Sequence, residues 1–377
     1  MQNNQAAVKN ELVEKLNEKL ARCPLFSDCF GSSLRQRVNT PHWFENRFLQ
    51  AIYGGTDWIE EHEQFLQHTD IQEVKNADKI FSDLKGDDPD YDLKIFDVLA
   101  EVRLIRWARE NGYIDIEKLI VDGQSTPDFL MKKGQEGTIA EAKYFRPRDY
   151  LKDFVEDRLK GLVLKTTCLN QFGISLDTTD KYEEIHDFLL KTRKYCEIGY
   201  RKAIRDELTE EWLIALESEL CENPEIEKKV FCDLFLARRT KTLGIASIML
   251  FWQNASNEKG AAKLMLEKLC GNLMAALKQI RSYTDRNLFV DIPSAALVFL
   301  SGTDECSLEW ENMWETLKCK DSWAKVQEIY SKASELIKLP FELIVGKYKE
   351  EQSEFAGRQA TKKTLEYVPF PWTPKTN

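Results

Sequence analysis

The segment 125–145 constrains the fold of this chain more than any other part of the sequence. It contains two short runs rich in apolar residues, and the polar stretch 132–137 between them carries two glycines. Runs of this length joined by a Gly-containing connection are typical of a β-hairpin. The segment therefore predicts two antiparallel strands. Asp128 opens the first strand directly after a proline, and Glu141 and Lys143 lie on the second.

The predicted hairpin brings charged side chains together. Glu141 and Lys143 are two positions apart, so a strand places both on one face. Twelve residues separate Asp128 from Glu141, which suffices for two short strands and a turn. Carboxylate oxygens, with the backbone carbonyl of Ala142 as a third ligand, suit a hard divalent cation. A lysine beside them can orient water or neutralise the charge that develops on a phosphate.

The proline before Asp128, followed by Glu141-x-Lys143 on the next strand, resembles the motif of the PD-(D/E)XK nuclease superfamily. The resemblance covers 92–150 well and 261–300 loosely. It implies a restriction-endonuclease-like α/β core, with a mixed sheet flanked by helices and large helical additions. It also implies Mg²⁺-dependent (or Mn²⁺-dependent) hydrolysis of phosphodiester bonds. In that scheme Asp128, Glu141 and Ala142 hold the metal, and Lys143 acts on water or on the transition state.

Glu101 is a further candidate metal ligand on a helix predicted over 93–111, which ends at Asn111-Gly112. Its neighbours one turn away are mostly apolar, and an unpaired carboxylate is expensive to bury there. We interpret Glu101 as a metal-side carboxylate. The alternatives are a salt bridge to an arginine elsewhere in the chain, or a position at the edge of the apolar stripe.

Gln279 and Tyr283 are four residues apart on a helix predicted over 261–283. A Gln-x-x-x-Tyr pair of this kind shapes the site in the branch of the superfamily that accompanies recombination helicases. Here the pair lies far downstream of Lys143. Either a large insertion divides the core, or the match is accidental.

The apolar patterns divide the chain into three predicted regions. Residues 1–90 form an N-terminal helical region. Residues 91–305 form the nuclease-like α/β core, with a helical insertion at about 149–228. Residues 306–377 form a C-terminal helical region and a Pro-rich tail. Further strands are expected at 113–120, 230–237, 243–252, 287–292 and 295–300.

The net charge of −10 and the pI near 5.3 mean that nucleic acid must be bound by a local basic patch rather than by the overall field of the protein. Four clusters of basic residues are candidates. They are Lys143, Arg146, Arg148, Lys152, Arg158 and Lys160; Lys191, Arg193, Lys194, Arg201, Lys202 and Arg205; Arg238, Arg239 and Lys241; and Lys278, Arg281 and Arg286.

The sequence also excludes several classes of protein. No apolar run is long enough to cross a bilayer, and the N-terminus lacks a signal-peptide pattern, so we expect a cytoplasmic protein with no membrane contact. The nine cysteines include no Cys-x-x-Cys pair, which favours reduced thiols over a zinc site. No phosphate-binding Gly-rich loop is present, so any ATPase motor would be a separate protein.

The predicted function is that of a metal-dependent nuclease acting on DNA, with RNA also possible, in restriction or defence, repair, or mobile-element processing. Since one such site cuts one strand, double-strand cleavage favours a homodimer. One alternative is a non-catalytic module that binds nucleic acid or protein on a degenerate nuclease fold. A second is a helical scaffold with Trp310, Trp314 and Trp323 at a partner surface. In a third, Asp128 only caps a turn, and Glu141 and Lys143 are exposed charges on an edge strand.

Overall fold

The structure is a computed structural model that describes residues 2–40, 43, 46–55, 57–88, 91–120, 126–144, 155, 173–181, 202–223, 225–240, 258–286, 293–301, 320–355 and 358–370. Its helices are α1 Gln2–Arg22, α2 Pro24–Phe26, α3 Ser32–Arg37, α4 Arg47–Gly54, α5 Trp58–Gln67, α6 Asp78–Phe81, α7 Tyr91–Glu110, α8 Glu210–Glu222, α9 Glu258–Thr284 and α10 Lys320–Ile337. Its strands are β1 Asp115–Lys118, β2 Phe129–Lys133, β3 Glu136–Tyr144, β4 Gly173–Thr178, β5 Glu227–Val230, β6 Phe235–Thr240, β7 Ala295–Ser301, β8 Phe341–Phe355 and β9 Arg358–Phe370.

The chain divides into two compact units, each assembled from segments that are separate in sequence. The first unit consists of residues 1–22, 34–59 and 149–258. The second unit consists of the remaining segments, 23–33, 60–148 and 259–377. Each unit contains one of the two sheets.

The first unit contains the three-stranded antiparallel sheet, in the order β4-β6-β5. Its helix α4 begins at Asn46, whose side chain accepts a hydrogen bond of 2.9 Å from the N–H of Leu49. This is a common way to satisfy an otherwise unpaired N–H of the first helical turn. The helix ends at Gly55, which has a φ of +72°.

The second unit contains the six-stranded sheet, in the order β1-β2-β3-β7-β8-β9. Strands β3, β7 and β8 run parallel, and the other neighbouring strands are antiparallel. Helix α9 precedes β7 and α10 precedes β8, as parallel neighbours require a crossover connection. The sheet is therefore mixed.

Helices cover both faces of this sheet. Helix α7 packs on one face, where Trp107 lies 6.1 Å from the ring of Phe299 and Phe96 stacks on Tyr144 at 5.1 Å. The opposite face contacts α9 and α10 through one buried cluster, whose members are Ile139, Leu269, Cys270, Leu273, Ala276, Leu277, Ile280, Tyr283, Ala296, Val298, Leu300, Ala333, Ile337, Leu343, Val345 and Phe370. The predicted mixed sheet flanked by helices is confirmed.

Two glycines fix the local geometry around the hairpin. Gly112 has a φ of +84° and ends α7, where the N–H of Tyr113 donates to the carbonyl of Ala108. Gly134 has a φ of +64° and occupies the tight turn between Lys133 and Glu136, the last pair of the β2–β3 ladder. The helix predicted over 93–111, the strand over 113–120 and the hairpin are confirmed. The strand predicted over 295–300 is confirmed as β7.

Other parts of the sequence prediction are wrong. The region 306–377 was expected to be helix and loose tail, whereas 341–370 forms two long strands of the main sheet after α10. The expected boundary at 305 thus falls between neighbouring strands β7 and β8. The polar stretch 347–354 does not by itself indicate a strand, and the other partner of β8, strand β7, is distant in sequence.

The insertion at 149–228 is also not uniformly helical. It contains β4, and its last residues begin β5. The hairpin expected from 230–237 and 243–252 turns earlier, at 231–234, so Arg238 and Arg239 lie within β6. The segments 243–252 and 287–292, Trp310 and Trp314, and the side chain of Trp323 lie outside the described residues.

Candidate active site

Asp128 connects the ends of β1, β2 and β3. It directly precedes β2, and its own N–H donates to the Oε2 atom of Glu141 at 3.1 Å. Its Oδ2 atom accepts a hydrogen bond of 2.8 Å from the N–H of Ala142, and its Oδ1 atom accepts one of 2.9 Å from the Nζ atom of Lys118. The two carboxylates predicted from the hairpin are therefore held side by side.

Glu141 and Lys143 lie on β3, which pairs with β2 on one side and β7 on the other. The side chain of Glu141 is 1% exposed, and its Oε1 atom pairs with the ammonium group of Lys143. The hypothesis that these are exposed charges on an edge strand is wrong, because β3 is a central strand. The hypothesis that Asp128 only caps a turn is also wrong, since its side chain bonds to groups on β1 and β3.

Ala142 lies at the point where β3 extends past the end of β2. Phe129 is the first residue of β2 and pairs with Ala140 of β3. No residue of β2 lies opposite Ala142, and the N–H of Ala142 donates to the Asp128 side chain instead. A strand residue directs its N–H and its carbonyl to the same neighbour. The carbonyl of Ala142 therefore leaves β3 on the side of Asp128, as expected for a third oxygen ligand.

Glu101 projects from α7, and its partner is a lysine rather than the arginine considered as an alternative. Its Oε2 atom lies 2.5 Å from the Nζ atom of Lys118, which also contacts Asp128. The ammonium group of Lys118 further lies 5.0 Å from the centroid of the Phe129 ring. Lys118 thus bridges two carboxylates from different elements. We call Glu101, Lys118, Asp128, Glu141 and Lys143 the sheet-end cluster.

Sequence reasoning missed Lys118. It is the last residue of β1, and the β1–β2 register places it opposite Phe129, next to Asp128. In the sequence, Lys118 lies in the strand predicted over 113–120, which is the strand that precedes the pair Pro127-Asp128. This position is a weak signal, because the register of two strands cannot be read from a short run.

Of the predicted pair on α9, Gln279 bonds to the cluster, whereas Tyr283 lies in the apolar core. The Oε1 atom of Gln279 accepts a hydrogen bond of 3.4 Å from Lys143, and its side-chain amide donates to the carbonyl of Thr126. Gln279 thereby ties β3 to the segment that leads into β2. Tyr283 is buried in the apolar cluster between α9 and the sheet, where burial and then the charge of Glu117 raise its pKa.

Burial and mutual repulsion shift the carboxyl groups of the cluster. Burial, followed by the neighbouring charge of Asp128, raises the pKa of Glu101 to about 8. The same two causes raise the pKa of Glu141 well above its ordinary value. Burial alone would lower the pKa of Lys118 and of Lys143, but the adjacent carboxylates more than offset it, so both pKa values are raised. Both lysines therefore stay charged at neutral pH.

The cluster carries an excess of negative charge when all its groups are ionised, since three carboxylates face two ammonium groups. Asp97, one turn before Glu101 on α7, adds a further negative charge that bears on Glu101 and Lys143. Such a site attracts cations and repels phosphate.

The donor chemistry of the cluster fits a hard divalent cation, because its carboxylates and the Ala142 carbonyl are oxygen ligands. The arrangement of these ligands fits such a cation less well than their chemistry does. Among the described residues, no group of three or more His, Cys, Asp or Glu side chains is placed so as to hold a metal ion. Both oxygens of Asp128 already accept hydrogen bonds, and Lys143 pairs with Glu141. Metal binding at this cluster thus requires at least one lysine to move.

No family model, curated protein or solved structure matches this chain. Within the described ranges, no helix is both long and apolar enough to span a membrane. The predicted basic cluster from Arg146 to Lys160 lies outside the residues that the structure describes.

Proposed function

We propose that the protein is a metal-dependent nuclease that hydrolyses phosphodiester bonds of DNA. The observation that carries this proposal is the convergence of Asp128, Glu141 and Lys143, which were predicted from sequence, on one bonded cluster at the end of a mixed sheet. Gln279, which lies 136 positions after Lys143 in the sequence, is hydrogen-bonded to the same cluster. The restriction-endonuclease-like identity of the core belongs to the same proposal.

Burial raises the pKa of Glu101 and of Glu141, so a bound divalent ion would favour their ionised forms. The excess negative charge of the fully ionised cluster is a reason for such an enzyme to need a metal. A phosphodiester is an anion, and partly buried carboxylates repel it strongly at short range. Asp128, Glu141 and the Ala142 carbonyl would hold Mg²⁺ or Mn²⁺, with Glu101 in a supporting position. When bound, the ion acidifies a water molecule and polarises the phosphate.

The chain's own residues complete the chemistry. Lys143 is held on two sides, by Glu141 and by the Gln279 amide. An ammonium group fixed in this way can donate to a non-bridging phosphate oxygen and stabilise the negative charge that grows during hydrolysis. The hydrogen bond from the Asp128 N–H keeps the Glu141 carboxylate beside it.

The partners follow from the proposed reaction. DNA is the proposed substrate and RNA the less favoured one. Cleavage of both strands of a duplex would need a homodimer or two turnovers at one site. An energy-dependent form of the reaction would need a separate ATPase.

Supercoiled plasmid provides the direct test. Purified protein with Mg²⁺ or Mn²⁺ should convert it to nicked circles, and EDTA should stop the reaction. Lys143→Met should reduce the rate by at least about a hundredfold, since it removes one charge-stabilising donor. The exposed Lys133→Met on β2 is the matched control and should cleave at the wild-type rate. Equal rates in the two variants would refute the role of Lys143.

A second candidate function is a non-catalytic module that binds nucleic acid or protein. The ammonium groups that already neutralise the carboxylates favour it, because they stabilise the cluster without a metal. This function predicts binding of labelled DNA or a protein that is equal in Mg²⁺ and in EDTA, with no cleavage of DNA or RNA in either. A Mg²⁺-dependent product would exclude it.

A further inference from the structure

Lys118 occupies the position of a cation between two carboxylates of the sheet-end cluster. Its Nζ atom lies 2.5 Å from Glu101 and 2.9 Å from Asp128. The three side chains are between 14% and 15% exposed. One carboxylate comes from α7 and the other from the start of β2, so the ammonium group joins two separate elements.

This ammonium group and a divalent ion cannot share these oxygens without a large cost. Two cations a few ångströms apart in a partly buried site repel each other strongly. The two carboxylates also repel each other, and Lys118 is the cation that compensates them. Any ion that binds to Asp128 must therefore compete with Lys118 first.

Lys118 is better suited than Lys143 to leave the cluster. The polar partners of its ammonium group among the described residues are the two carboxylates, so a divalent ion would take over the positions of both hydrogen bonds. Lys143 has a neutral partner in the Gln279 amide, which can retain it after Glu141 turns to a metal. Lysine is also a flexible chain of four methylene groups, and Lys118 lies at the end of its strand.

We propose that Lys118 competes with the divalent metal for the same carboxylates. Its ammonium group occupies the position of the metal in the metal-free protein, and the metal displaces it on binding. This proposal rests on the proposed metal-dependent function. Lys118 lowers the apparent affinity of the site for the metal and keeps its carboxylates compensated when no metal is bound. The residue is a positioning residue of the metal-free state rather than a group that acts on the substrate.

Metal binding without substrate tests the proposal. Isothermal titration with Mn²⁺ should show that Lys118→Met binds the ion at least about tenfold more tightly than the wild type, because the competing charge is gone. Lys75→Met is the matched control. Lys75 is an exposed lysine that pairs with Glu117 on β1, the strand that carries Lys118. Lys75→Met changes the net charge by the same amount as Lys118→Met. It should bind Mn²⁺ within about twofold of the wild type.

Lys118→Arg distinguishes the effect of losing the positive charge from a general disturbance of the fold. It keeps a cation at this position and should bind Mn²⁺ no more tightly than the wild type. Mn²⁺ affinity in Lys118→Met that equals or falls below the wild-type affinity would overturn the proposal while leaving the metal site intact. If neither protein binds Mn²⁺ and neither cleaves DNA, the proposed function itself fails together with this inference.

Discussion

Both sheets of this protein carry clustered charges, and the two clusters differ in construction. In the first unit, Arg238 on β6 donates to Asp177 on β4 and to Glu227 on β5. We call these three residues the arginine cluster. Glu227 lies directly opposite Arg238 in the ladder, and Asp177 lies diagonally across from it. The side chains of Arg238 and Glu227 are 43% and 53% exposed, so these two form an ordinary cross-strand ion pair at a surface. The side chain of Asp177 is 11% exposed and is the buried member of the cluster.

The sheet-end cluster combines more carboxylates, and the side chain of each member is at most 28% exposed. Its charges come from α7, β1, β3 and the start of β2, and Glu141 is almost fully buried. Exposed ion pairs contribute about 0–1 kcal/mol to stability, whereas buried ionised groups carry a large desolvation cost that pairing seldom exceeds. The exposed pair of Arg238 and Glu227 is explained by sheet pairing alone. The sheet-end cluster is not, and costly groups of this kind are typical of binding and catalytic sites.

The largest expected difference between the clusters is in activity. Asp128→Asn keeps the shape of the side chain but removes a charge that the metal needs, so cleavage should fall by at least about a thousandfold. Asp177→Asn makes the same change in the arginine cluster and should leave the rate within about twofold of wild type. Initial rates of plasmid nicking, with circular dichroism as a folding control, compare the two. Similar cleavage rates for the two variants would contradict the proposed functional difference between the sheet-end cluster and the arginine cluster.

The next effect is a pH dependence of stability that Glu101 confers. Its pKa is about 8 in the folded protein, above its ordinary value of 4.5, so the folded state binds this proton more tightly than the unfolded state. The stabilisation is complete below pH 4.5 and is lost as the pH rises toward 8. Glu101→Gln cannot lose a proton, so it should remove this decline, and its stability relative to wild type should rise by several kcal/mol between pH 5 and pH 8.5.

Urea unfolding in EDTA between pH 5 and pH 9 measures this difference. Glu227→Gln serves as the control from the arginine cluster and should show the wild-type slope. A wild-type protein whose stability is flat or rises over this range would contradict the account of Glu101.

A smaller effect is expected at Gln279, which positions Lys143 from outside the charged set. Gln279→Ala should lower the cleavage rate by about tenfold, because Lys143 keeps its charge but loses one of its two supports. Lys278→Ala, an exposed neighbour on α9, should cleave normally. A loss in Gln279→Ala as large as that in Asp128→Asn would show that Gln279 does more than support the lysine.

The smallest effect is expected in the arginine cluster itself. Glu227→Gln removes the exposed pair with Arg238, so the free energy of unfolding should fall by no more than about 1 kcal/mol. The loss should also shrink in 1 M salt, which screens exposed charges. Urea unfolding at low and high salt provides the measurement. A loss of several kcal/mol that persists in salt would place this cluster in the same class as the sheet-end cluster.

The parts of the site that could be predicted from sequence are those fixed by local rules. The alternation of a strand puts Glu141 and Lys143 together, and the Gly134 turn folds them back toward Asp128. Glu101 was recognised because a carboxylate on an apolar helix face needs a cation. The sequence could not identify that cation, since the contact of Lys118 depends on the register between β1 and β2.

Longer-range features were predicted less well for the same reason. The strands β8 and β9 extend the main sheet from a region expected to be helix and tail, and the pairing of β8 with β7 is set by packing rather than by local preference. Gln279 and Tyr283 have helical spacing that suggests a joint role. Only the fold determines that one reaches Lys143 and the other enters the core.

A crystal structure of the protein soaked in Mn²⁺ tests the central claim most directly, because anomalous scattering locates the ion and the density shows Lys118. The account predicts one Mn²⁺ bonded to oxygens of both Asp128 and Glu141, with the Lys118 ammonium group withdrawn from Asp128. A crystal at saturating Mn²⁺ with no ion at the sheet-end cluster, and with Lys118 still bridging Glu101 and Asp128, would contradict it.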